Sequence, residues 1–287
     1  MRKPFPMHHR QIPAGLALFL VLMGLSESVR AGIDEKVADN LMNQCGLWEQ
    51  VDALAPKIES SLKDALSRSS ASLPAGDQER LLKGGAEAFA RGRLRSAAAA
   101  QIAAEIDHED ASIVAAWCDG PTGQRIRSLS AAGAAPSMDQ AKKLRAGNEA
   151  YARLGAKRQG DLWLLANAAQ TGDFLADIAI ETTVAAARAV AFVSVDPHGP
   201  SPDELRVMME SQRSEIARKF GEIVVAGWAL DFATLNDADV DAYQSFLASP
   251  AGMRFNRAAR EAIRGSFVKA SRALTDQLAT NSSRPGK

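Results

Sequence analysis

The sequence predicts an all-α protein, a duplicated helical bundle with a helix-corner-helix unit in each repeat. Three observations carry this. No stretch alternates apolar and polar residues with period two beyond a few positions, and β-branched residues are sparse. Apolar residues instead recur at helical spacing along most of the chain. One stretch also occurs twice. Leu235-Asn236-Asp237-Ala238-Asp239, an apolar-striped run to Phe246-Leu247, then Ser249-Pro250-Ala251-Gly252 has an earlier counterpart. That counterpart is Ile106-Asp107-His108-Glu109-Asp110, a run to Trp117-Cys118, then Gly120-Pro121-Thr122-Gly123. Pro121 and Pro250 stand 129 positions apart, as do Gly123 and Gly252. That period is too long for a solenoid unit and fits duplication of a whole helical domain.

Residues 1–31 read as a cleavable signal peptide. Arg2, Lys3 and Arg10 form a basic start, Ala14 to Leu25 an apolar run, and Val29-Arg30-Ala31 a small-residue cleavage site near Ala31. The apolar run is well short of the ~20 residues that span a bilayer, and no later run is long enough, so no transmembrane anchor is expected after cleavage. The expected location is periplasmic or secreted. From Gly32 to Ser67 a stripe of Val37, Leu41, Cys45, Trp48, Val51, Leu54 and Ile58 predicts helix, interrupted at Gly46-Leu47 and restarted at Pro56. Ser67 to Gly76 is a polar linker, and Asp77 to Ile106 one long, Ala-rich helix.

In the first corner Asp107 is the N-cap, with Asp110 near the positive end of the helix dipole, and Ile113, Val114, Trp117 and Cys118 share a face. Pro121 restarts the chain as a first helical residue, and Gly123 lets the preceding helix pack close to the backbone. Ala131 to Ser137 is a break. It divides a first repeat, 32–134, from a second, 135–278. Met138 to Ala169 is helical with weak points at Gly147, Gly155 and Gly160. Gln170-Thr171-Gly172 parallels Gln44-Cys45-Gly46 at an offset of 126, and a long helix follows to about Val195. After a Pro/Gly loop, Ser201-Pro202-Asp203-Glu204 is a capping box, and Leu205 to Thr234 matches the helix at 77–106. The second corner has Asn236 as N-cap, an apolar face of Val240, Tyr243, Phe246 and Leu247, and Pro250 and Gly252 in the places of Pro121 and Gly123. A last helix runs to about Leu278, and 279–287 is expected to be a disordered tail.

These residues resemble a known family. A secreted leader, an early Cys45-Gly46-Leu47, and an aromatic ahead of Ser-Pro-x-Gly (Phe246, then Ser249-Pro250-Ala251-Gly252) are similar to the exported bacterial domain-of-unknown-function family numbered 2059. The resemblance implies an exported helical protein and assigns no reaction. The first corner departs from it, with Asp119-Gly120-Pro121 where Ser-Pro stands in the second.

Without the leader the chain has 30 basic and 33 acidic residues, a net charge of −3. Nucleic acid is therefore not expected as a partner, since phosphate binding needs a concentrated basic surface. Cys45 and Cys118 are the only cysteines, and an oxidising compartment predicts one disulfide between them; the alternative is two buried thiols. No CxxC, G-x-S-x-G, H-E-x-x-H, P-loop or dinucleotide motif occurs, so no catalytic, metal or cofactor-binding residue is assigned and no cofactor is expected. Asp107-His108-Glu109-Asp110 reads as a cap rather than a metal site, because consecutive residues splay around a helix axis. His198 reads as a solvated loop residue. Arg91, Arg93 and Arg95 read as a solvated face, with an anion site as the other reading, and Trp48, Trp117, Trp163 and Trp228 as core, with groove lining as the other reading. The leading expectation is a non-enzymatic envelope protein that binds another protein or has a structural role. The second is a carrier holding a small apolar molecule or lipid in a groove between the repeats.

Overall fold

A computed structural model describes residues 32–49, 51–52, 60, 63, 75–134, 139–193 and 200–282. The leader, Pro56, most of the 67–76 linker, the 135 boundary and His198 lie outside them. Within them the fold is all-α. The helices are α1 (Glu35–Gln44), α2 (Ala75–Ala88), α3 (Arg91–Glu105), α4 (His108–Asp119), α5 (Pro121–Ala134) and α6 (Gln140–Ala152). Then follow α7 (Ala156–Ala168), α8 (Thr171–Val193), α9 (Pro202–Ser211), α10 (Arg213–Asp231), α11 (Asp237–Ala248) and α12 (Pro250–Ser282). Among the described residues no helix is long and apolar enough to cross a membrane.

Local signals set several of the helix starts. The Asp107 and Asn236 side chains each accept from the backbone N–H three residues on, and the capping box of Ser201 and Glu204 is complete in both directions. Other boundaries differ from expectation. The expected helix at 77–106 breaks at Phe89-Ala90, where Phe89 is buried and packs 6.1 Å from the Phe267 ring; burial there overrides helix propensity. The matching stretch at 205–234 breaks at Gln212. Gly155 is the weak point that does divide 138–169, as the N-cap of α7. Gly147 instead sits in a close crossing, where a Cβ would lie 2.6 Å from the Ala226 carbonyl oxygen. Helix α5 continues to Ala134, into the expected break, and α12 continues to Ser282, four residues into the expected tail.

The two corners share one geometry. Each is a helix of 12 residues ended by an extended residue, Gly120 (φ −69°, ψ 160°) or Ser249 (φ −68°, ψ 152°), with proline opening the next helix. A Cβ on Gly123 would stand 2.3 Å from the Trp117 carbonyl oxygen, and one on Gly252 2.0 Å from that of Phe246. The corners also meet. The Trp117 and Phe246 rings stack at 4.7 Å and 10°. Arg125 of the first corner reaches Asp239 of the second at 2.7 Å, while Arg254 of the second forms a two-pronged pair with Asp110 of the first. Both partners shift by the same 129 positions, so the contact is reciprocal in the way an isologous interface is.

Two apolar clusters fill the interior, and they do not follow the expected 32–134 and 135–278 division. Phe255, Ile263, Phe267 and Leu274 of α12 pack with Leu41, Trp48, Leu94 and Ile102 of the first half. Ile126 of α5 packs with Leu162, Leu165, Val225 and Leu247 of the second. Helix α12 thus packs on α3 of the first half as well as on α8 of its own, α5 packs on α10 and α11 of the second half as well as on α4, and Ala31–Lys287 forms one compact unit.

Candidate functional site

Cys45 is the C-cap of α1, and Gly46 beyond it has φ +74°, a turn that glycine makes without steric cost. The reversal brings Cys45 to the last turn of α4, at disulfide distance from Cys118 with Cα atoms 5.1 Å apart. In the second half the left-handed residue is Gln170 (φ +50°), so Ala169, rather than the expected Thr171, takes the place of Cys45. Ala169 and Leu247, at the places of the two cysteines, are buried in one apolar cluster.

The same junctions frame two adjoining hollows between the halves. The smaller, of about 140 Å³, lies beside the cysteine pair and the Trp117–Phe246 stack. Arg127 borders it and pairs with Glu49 at 2.7 Å; the second Glu49 oxygen is buried and accepts no hydrogen bond among the described residues. The larger, of about 350 Å³, is walled by Phe174, Leu175, Val224, Trp228, Phe232 and Ile263. Leu47, Ser130, Tyr243, Asn256 and Ala259 border both hollows. Burial pushes the Tyr243 phenol up to about 12, so it stays neutral at ordinary pH.

The polar rim of the larger hollow is mostly committed. Lys143 reaches Asp231 at 3.3 Å and the Gly133 carbonyl; Asn256 donates to the Ala169 carbonyl at 3.1 Å, and Thr171 to that of Ala166 at 3.3 Å. Arg260 differs. Its Nε is buried without a hydrogen-bond acceptor among the described residues, and burial pulls the guanidinium below its ordinary value. The nearby carboxylates are taken: Asp173 and Asp177 by Arg213, and Glu261 by Arg264.

The sequence-predicted residues divide. Pro121, Gly123, Pro250 and Gly252 form the corners that set the hollows' position. Asp107 caps α4, and no group of His, Cys, Asp or Glu that could hold a metal occurs among the described residues. Arg91 and Arg93 are exposed, Arg91 and Arg95 reach Asp52 at 3.9 and 2.5 Å, and Arg95 also lies 5.4 Å over the Trp48 ring. Trp48 is core, Trp163 donates to the Tyr151 hydroxyl, and Trp117 and Trp228 line the hollows. Arg260 was not singled out by sequence. Its one signal is a charge set directly against the stripe of Phe255, Ala259, Ala262, Ile263 and Phe267.

No protein-family model, curated protein or solved structure matches the chain.

Proposed function

We propose that this chain is an exported carrier that holds a small apolar or amphipathic molecule between two duplicated helical halves. The reading assigns it no reaction, and it includes membership of the family numbered 2059, argued from the corner residues. One observation carries it: the hollow of about 350 Å³ with an aromatic and aliphatic wall, bordered by both halves. That volume falls at the lower end of small-molecule sites, roughly 300–1,000 Å³. A protein-docking role would favour one contiguous exposed apolar surface. The large exposed apolar side chains, such as Ile113, Leu164, Val207, Ile223 and Met253, are instead spread one or two to a helix. The cysteine pair at disulfide distance and the lack of a membrane-spanning helix among the described residues are compatible with export.

Native mass spectrometry of the protein purified from its own periplasm tests the reading. The expected result is a mature chain beginning near Gly32, carrying a small-molecule mass that is lost on denaturation. A chain with no small molecule but a stably bound protein would replace the carrier with the envelope-interaction role.

A further inference from the structure

We propose that the central hollow takes a monocarboxylate with a short apolar tail, its head group held by Arg260. This deepens the carrier reading and rests on it. Arg260 is half-buried, and a guanidinium N–H taken out of water without an acceptor is costly, so such groups are normally paired. Arg260 borders the hollow with a buried Nε that has no acceptor among the described residues.

The chain's own anions do not fill that role by direct contact. The charged groups whose field acts on Arg260 are Glu261, Asp173, Asp177 and Arg213. Arg213 spans Asp173 and Asp177 at 2.9 and 2.8 Å, and Arg264 holds Glu261 at 2.8 Å. These carboxylates soften the field at Arg260, while one oxygen of each is bonded elsewhere and none forms an ion pair with Arg260 among the described residues. Across the hollow, Lys143 is held by Asp231, which leaves Arg260 as the bordering cation without an ion pair among the described residues.

The chemistry of the occupant follows. The planar fork of a guanidinium matches the two oxygens of a carboxylate. The wall of Phe174, Leu175, Trp228, Phe232 and Ile263 suits an alkyl or aryl tail. Asp231 on the rim disfavours a head group of higher negative charge.

The test titrates decanoate and decanol into the full mature chain, followed by calorimetry and by tryptophan fluorescence, with Arg260→Met and Arg260→Lys alongside. The expected result is decanoate binding roughly tenfold or more tighter than decanol, the scale of one charge-assisted hydrogen bond. Arg260→Met should remove that preference, while Arg260→Lys retains part of it. Equal affinity for acid and alcohol in the wild-type chain, or a preference that survives Arg260→Met, overturns the head-group assignment and leaves an apolar carrier standing. Binding of neither probe overturns the carrier reading and this inference together.

Discussion

A carbonyl at the start of each corner shows how single residues hold the two halves. In the first, the Ile106 carbonyl accepts from the Ile33 backbone N–H at 3.2 Å; in the second, the Leu235 carbonyl accepts from the Arg158 guanidinium at 2.8 Å. The need is the same, since a buried carbonyl without a donor is costly, and a backbone group meets it once and a side chain the other time. At Gly252 no such alternative exists. A Cβ there meets the backbone oxygen of Phe246 at 2.0 Å, and backbone at a tight corner cannot swing aside. Gly252→Ala should therefore destabilise the protein by about 1–3 kcal/mol, and Gly252→Leu by at least as much. Gly160 supplies the opposite case. It lies inside α7 with nothing within 4 Å of where a Cβ would stand, so Gly160→Ala should stabilise by about 0.5–1 kcal/mol. Denaturant melts of the two variants should move in opposite directions. A Gly252→Ala melt unchanged from wild type would mean the corner opens freely.

Between elements, ion pairs placed at one face of a helix pair carry a pH dependence that can be signed. Arg206 of α9 holds the Glu181 carboxylate of α8 with two hydrogen bonds, at 2.9 and 2.8 Å. That contact lowers the carboxyl below its ordinary value of 4.5, while burial opposes the shift. A folded value below the unfolded one contributes stability above pH 4.5, and that stability is lost as pH falls through the folded value. Between about pH 5 and about pH 3, wild type should lose more stability than Glu181→Gln; equal losses in denaturant melts would remove the pair from the account. The pairing was not legible in sequence, because it joins residues 25 positions apart on two different helices. Caps were legible, since Asp107, Asn236 and Ser201 act within three residues of themselves. The breaks at Phe89-Ala90 and Gln212 were not, because nothing local forbids helix there and the burial of Phe89 against Phe267 comes from a residue far along the chain. The candidate site divides in the same way. The aromatic faces were visible as stripes, whereas Arg260 acquires its meaning only when α8 and α10 close around it.

For the whole molecule, the packing of α12 into the first core decides how it unfolds. Two side-by-side domains would each melt alone, and 32–134 would be a folded fragment. The first core, however, borrows Phe255, Ile263, Phe267 and Leu274 from α12, all at most 5% exposed. Burying each such side chain is worth about 1.5–3 kcal/mol, so losing four costs about 6–12 kcal/mol, as much as the whole net stability of an ordinary domain. A Cys45–Cys118 cross-link, 73 residues apart in sequence, offsets about 4 kcal/mol by restricting the unfolded chain. Burial therefore outweighs the cross-link. The chain from Gly32 onward should melt in one cooperative transition, lowered in temperature but still single after reduction. Residues 32–134 expressed alone, even with the cysteines joined, should give helical far-UV dichroism without a cooperative melt. A sharp, independent transition from that oxidised fragment would show that the first half keeps its own core, and that α12 covers it without completing it.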